Sequence, residues 1–165
     1  MKKLVFLLMG LLLISLSGYS EEKAKFDPKI PDKIKAVFDW SIPPEDTATA
    51  LRFVSNFIKA YDEFNPAGEY QLAIVSHGPE ALIFSKKNYE KYKETIDRLR
   101  SMTQVYNLKI YVCRNVVRTL GIKEEDLQDF VIVVPAGVLK LAAIQEEGFR
   151  LIPTVVHDMK KYKQQ

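Results

Sequence analysis

The chain has 165 residues, 47% of them hydrophobic and 27% charged, with 7 Gly, 8 Pro and a single Cys. That balance is globular and excludes a disordered, collagen-like or disulfide-stapled protein. The formal charge is +3, and Lys2 and Lys3 at the amino terminus supply two of those charges, so no basic excess remains to argue for nucleic acid as a partner.

Met1-Lys2-Lys3 is followed by an apolar run over 4–16 and then by Ser17-Gly18-Tyr19-Ser20 before the charged Glu21-Glu22-Lys23. This is the three-part layout of a secretory signal. The run is shorter than the roughly 20 residues a helix needs to cross the hydrocarbon core, and Gly18 with Ser20 offers a small-x-small cleavage pair. The expectation is a signal peptide over 1–20 and a mature protein exported to the bacterial periplasm, with no membrane association after cleavage; the alternative is an uncleaved anchor. Removal leaves roughly 145 residues, enough for one domain.

Residues 21–33 are polar, carry Pro28 and Pro31, and read as an extended lead-in. The first strand is expected over 34–40, ended by Ile42-Pro43-Pro44, because proline lacks the N–H that a continuing ladder needs. Asp39 and Trp40 end it, with Trp40 covering the core and its N–H finding one partner. A helix starts near Asp46 or Thr47. Leu51, Val54, Ile58 and Tyr61 then recur at steps of three and four, and Asn65-Pro66-Ala67-Gly68 stops the helix. A second strand over 70–76 runs into the turn His77-Gly78-Pro79, followed by a short helix over 80–84.

Tyr89, Tyr92, Ile96, Leu99 and Met102 mark a long amphipathic helix over 88–106. A third strand over 108–112 delivers the chain to Cys113, and 114–120 forms a short helix stopped by Gly121. A fourth strand over 130–134 leads through Pro135-Ala136-Gly137 into a helix with Val138, Leu141, Ile144 and Gln145, and a fifth strand over 149–152 stops at Pro153. The tail from 154 onward is polar, with His157 in solvent. Five β-like runs with helices between them give a three-layer α/β/α domain with a mainly parallel sheet over 34–153, flavodoxin-like in general architecture. Strand carboxyl ends then share one edge, which Asp39, Trp40, His77, Gly78, Cys113 and 135–137 reach.

Cys113 stands where a strand gives way to a helix, a place that favours a thiolate, and Arg114 and Arg118 add positive charge at i, i+4. In an exported chain a lone Cys is either buried, paired between chains or reactive. His77 is either a proton acceptor beside Cys113 or a turn cap bonded to backbone. Cys113, His77 and Asp39 lack local ligand spacing, so neither a metal nor a cofactor is expected. P-loop, dinucleotide-binding, nucleophile-elbow and zinc-protease motifs are absent from the sequence.

The segment Lys109-Ile110-Tyr111-Val112-Cys113-Arg114-Asn115, with Leu120-Gly121-Ile122, the acidic run 124–126 and Val134-Pro135-Ala136-Gly137-Val138, resembles the DsrE/DsrF-like family of sulfur-relay proteins. Val75-Ser76-His77-Gly78-Pro79 is similar to the His-Gly turn of its exported members. The resemblance spans 34–153. It implies a DsrE-like domain that assembles as a trimer or hexamer and a Cys113 that accepts sulfane sulfur as a persulfide from a donor protein and passes it to an acceptor. Cys113 and His77 would be catalytic, and Arg114, Asn115 and Gly78 would bind substrate. The competing reading is a non-catalytic oligomeric binding or assembly module with an inert Cys113.

Overall fold

The computed structural model of the chain describes residues 23–163, and the expected signal segment lies outside them. The regular elements are β1 (Lys33–Trp40), α1 (Thr47–Phe64), β2 (Glu69–Ser76), α2 (Tyr89–Val105), β3 (Lys109–Cys113), α3 (Arg114–Thr119), β4 (Ile132–Val134), α4 (Gly137–Glu146) and β5 (Arg150–Pro153). Among the described residues the five strands form one sheet in the order β4-β3-β2-β1-β5, and each neighbouring pair is parallel. None of the helices among these residues is long and apolar enough to cross a membrane.

Alternation along the strands sorts side chains between two faces. Ala36, Phe38 and Trp40 of β1, Leu72 and Ile74 of β2, and Ile110 and Val112 of β3 are buried against Leu51, Val54 and Ile58 of α1, Ile96 and Leu99 of α2, and Val117 of α3. The intervening residues Val37, Ala73 and Val75 bury against Leu141 and Ile144 of α4. The fold is therefore a three-layer α/β/α domain with unequal outer layers: three helices on one face and α4 alone on the other.

Element boundaries shift where a local hydrogen bond competes with the ladder. The expected strand over 130–134 shortens to Ile132–Val134, because the Val131 N–H donates to the Gln128 carbonyl in a turn at 3.4 Å. The fifth strand begins at Arg150 rather than 149, since the Phe149 N–H closes the end of α4 on the Ile144 carbonyl at 3.2 Å. Pro153 sits inside β5 rather than stopping it, a position open to proline because β5 is an edge strand paired only with β1. The segment after His77-Gly78 is a 3-10 helix, Pro79–Phe84, with proline in its first turn. Helix α2 carries a break at Tyr92. On α4, Gly137, Leu141 and Ile144 face the sheet, whereas Val138 and Gln145 are exposed.

Trp40 is fully buried as expected, but its indole N–H has no hydrogen-bond partner among the described residues, and neither has the hydroxyl of buried Thr154. Both lie one residue past the Asp39–Pro153 pair of β1 and β5. His157, in the tail, is exposed.

The chain steps β1, β2, β3, β4 in one direction with α1, α2 and α3 on one face, then returns to β5 with α4 on the other. Adjacent strands β3 and β4 thus send their chains to opposite faces, α3 to one and α4 to the other. Cys113 pairs in register with Val134.

Candidate functional site

Three neighbouring strands deliver the site. Asp39 follows Val37 by two residues on β1, His77 follows Val75 by two at the end of β2, and Cys113 follows Tyr111 by two on β3, so all three belong to the face that α4 covers. The last paired residues are Trp40 with Ser76 and Ser76 with Val112. The His77 N–H then donates to the Trp40 carbonyl at 3.0 Å, which carries the alignment one residue further.

The first turn of α4 closes over this row. Gly137 has no side chain where one would collide: a β-carbon there would fall 2.3 Å from His77 Cβ, 3.1 Å from His77 Cγ and 3.3 Å from Cys113 Cβ. His77 and Cys113 therefore flank a single point under the start of α4. Cys113 is free and buried, 5% exposed.

The His77 ring does not bond as a backbone turn cap through its Nε2 atom. That nitrogen donates to Asp39 Oδ1 at 2.6 Å, with both side chains partly exposed. A carboxylate can only accept, so the shared proton resides on Nε2 in the neutral ring and Nδ1 becomes the ring's basic nitrogen. Asp39 is thus a member of the site and not only the end of a strand. Its proximity could be found from the sequence only by knowing that β1 lies beside β2; the matching two-residue steps Val37-Asp39 and Val75-His77 were the available signal.

Gly78 is buried and tightly enclosed, a β-carbon there falling 2.7 Å from Ser41 Cα. Arg114 and Asn115 open α3, which leaves Cys113 toward the opposite face; both are exposed, and the Arg114 guanidinium pairs with Glu124. The structure brings Asp39, His77, Cys113 and Gly137 together and turns Arg114 and Asn115 outward from that row. Among the described residues no group of three or more His, Cys, Asp and Glu side chains is arranged to hold a metal.

The family model described as DsrE/DsrF-like matches residues 35–153, which takes in β1 from its third residue, all of β2 to β5 and all four residues of this row. The chain belongs to the DsrE/DsrF-like family. The solved structure of MTH1491, a protein of unknown function from Methanobacterium thermoautotrophicum, is similar at 19% identity and a TM-score of 0.53, covering 73% of this chain and 97% of that one. At that identity the likeness speaks for the fold. No curated protein matches the chain. As a DsrE-family domain it places its one thiol at the carboxyl end of β3, next to an imidazole oriented by a carboxylate. That grouping can take a proton from a thiol, hold it and return it, the requirement for a sulfur nucleophile that must also serve as a leaving group.

Proposed function

We propose that this protein is an exported sulfur carrier of the DsrE/DsrF-like family that loads sulfane sulfur on Cys113. The observation that carries the reading is the placement of Cys113 and the Asp39-bonded His77 about one point beneath Gly137. His77 Nδ1 takes the Cys113 proton. The thiolate attacks the terminal sulfur of a polysulfide or protein persulfide, a sulfur–sulfur bond forms to Cys113, the donor's own sulfur–sulfur bond breaks, and the donor leaves as a thiolate that receives the proton. Transfer onward reverses the sequence: an acceptor thiolate attacks the outer sulfur and Cys113 departs with its electron pair. Net oxidation is zero. Gly78 gives the turn its close approach, and Arg114 and Asn115, beginning α3 directly after Cys113, are proposed to meet the donor or acceptor.

Export rests on the Lys2-Lys3, apolar-run and Gly18-x-Ser20 pattern. Assembly into a trimer or hexamer is supported by α4, whose inner residues Leu141 and Ile144 are buried while Val138 and Leu139 remain 66% and 62% exposed. Large apolar side chains left together on the outside of a helix fit a surface that a partner covers.

The deciding experiment is intact mass after incubation with polysulfide, wild type against Cys113→Ser. A reductant-sensitive gain of sulfur in the wild type alone is expected. The near-complete burial of Cys113 favours one competing reading, a binding or assembly module with an inert thiol, and absence of any gain together with negligible alkylation of the folded protein at mildly acidic pH would establish it.

A further inference from the structure

A second carboxylate at this edge is more deeply buried than Asp39 and has no part in the chemistry above. Glu80, in the 3-10 helix Pro79–Phe84, is 0% exposed. Its oxygens accept three hydrogen bonds: Oε1 from the Ser76 hydroxyl at 2.8 Å and the Gly78 N–H at 3.0 Å, and Oε2 from the Ile42 N–H at 3.0 Å. Its own N–H donates to the Ile42 carbonyl at 3.2 Å. Burying a carboxylate is costly unless its lone pairs are met, so the side chain is stable there only while all three donors keep their places.

Those donors are not scattered. Ser76 and Gly78 bracket His77, and Ile42 lies just past the end of β1, the strand that carries Asp39. One buried side chain therefore ties together the residue before the imidazole, the residue after it and the exit of the strand that supplies its partner. Gly78 makes the contact possible, since a β-carbon there would fall 2.6 Å from Glu80 Oε2.

We infer that Glu80 is a positioning residue for His77, fixing the 76–78 turn against the β1 exit so that Nε2 meets Asp39. The consequence for sulfur transfer rests on the reading of Cys113 above; the consequence for His77 does not. Glutamine has the same shape but one oxygen and one NH2 group, so either amide orientation sets a donor against at least one of the three donors.

The test uses the whole chain with Glu80→Gln and 15N spectra of the imidazoles, and His77 and His157 are the two histidines to be resolved. In the wild type the His77 Nε2–H signal is expected downfield and slow to exchange. In Glu80→Gln it should be lost or moved toward the exposed His157 pattern, while cooperative thermal unfolding persists and His157 stays unchanged. A His77 signal identical to wild type in folded Glu80→Gln overturns the inference. Should that variant fail to fold, Ser76→Ala, which leaves Glu80 its two backbone donors, takes its place: a displaced His77 signal supports the inference and an unmoved one overturns it. Sulfur loading measured on the same samples separates the two claims, because a displaced His77 signal with unaltered loading upholds positioning by Glu80 and refutes the part assigned to His77 in transfer.

Discussion

Gly137 and His77 approach so closely that a β-carbon on the first would lie 2.3 Å from the β-carbon of the second, a separation that side-chain carbons do not adopt. Gly137→Ala must push either the start of α4 or the His77 strand end. Alanine in a helix would ordinarily gain roughly 0.5–1 kcal/mol over glycine. Overpacking a well-filled site costs about 1–3 kcal/mol, and the obstacle here is a β-carbon rather than a flexible chain end. The steric cost wins, and we expect a net loss of about 1–2 kcal/mol in denaturant unfolding, with faster alkylation of Cys113 as its cover lifts. A variant as stable as wild type would contradict the packing of α4 on His77.

Asp39→Asn retains an acceptor oxygen for His77 Nε2–H and removes the charge. Hydrogen bonds to charged groups contribute about 1.5–3 kcal/mol against about 0.5–1.5 for neutral pairs, and partial exposure of this pair argues for the low end of the difference. We expect unfolding free energy to change by less than about 1 kcal/mol and Cys113 alkylation at neutral pH to slow by about fivefold. Equal alkylation rates for wild type, Asp39→Asn and His77→Ala would show that the imidazole does not serve the thiol.

Much of this edge was legible before any coordinates, and the reason is local. Strand ends were announced by Pro43-Pro44, His77-Gly78-Pro79 and Pro135-Ala136-Gly137, residues that cannot extend a ladder, and the helix stripes of Leu51, Val54 and Ile58 or Ile96 and Leu99 follow from a 3.6-residue period. Cys113, His77 and Asp39 could be placed on this edge because they sit on those announced ends. The pairing of Asp39 with His77 could not be read, and Glu80 was not singled out. Their partners lie across strands or loops, Asp39 on β1 against His77 on β2 and Glu80 against Ile42, and strand order is a property of the assembled sheet rather than of any segment. The outward turn of Arg114 was hidden for a similar reason: its partner Glu124 comes from the next loop, and the face taken by α3 depends on which way the sheet winds.

Tyr70 lies on β2, seven residues before His77, packed edge-on to Tyr61 with ring centroids 5.0 Å apart. Burial, with Asp62 beside it, pushes the phenol up to about 12. Its folded pKa exceeds the unfolded value, so this contribution to stability is complete below pH ~10 and is lost as pH rises from there through about 12, the unfolded chain releasing the proton first. Absorbance at the tyrosinate band should show one phenol titrating near 12, absent from Tyr70→Phe. A phenol lost from the titration at about 10 rather than about 12 in Tyr70→Phe would place Tyr70 in solvent.

Helix α4 poses the remaining question, because its outer surface leaves large apolar side chains in solvent. Leu141 and Ile144 are buried on the sheet, yet Val138 and Leu139 point outward at 66% and 62% exposure, and Ile132 on β4 and Leu151 on β5 are 43% and 41% exposed. Covering a side chain of this kind contributes about 1.5–3 kcal/mol, and the charged residue of the first turn of α4, Lys140, is engaged with the Tyr111 ring and Glu147. A second copy of the chain docked there would close over the helix whose amino end caps Cys113, joining assembly to access at the site. Leu139→Asp places a charge in the middle of the patch without touching the core, so its fold and unfolding transition should match wild type while sedimentation velocity shows the trimer or hexamer replaced by a smaller species. Wild-type protein that sediments as a monomer at every concentration would refute assembly through α4, and an unchanged oligomer in Leu139→Asp would move the interface to another surface.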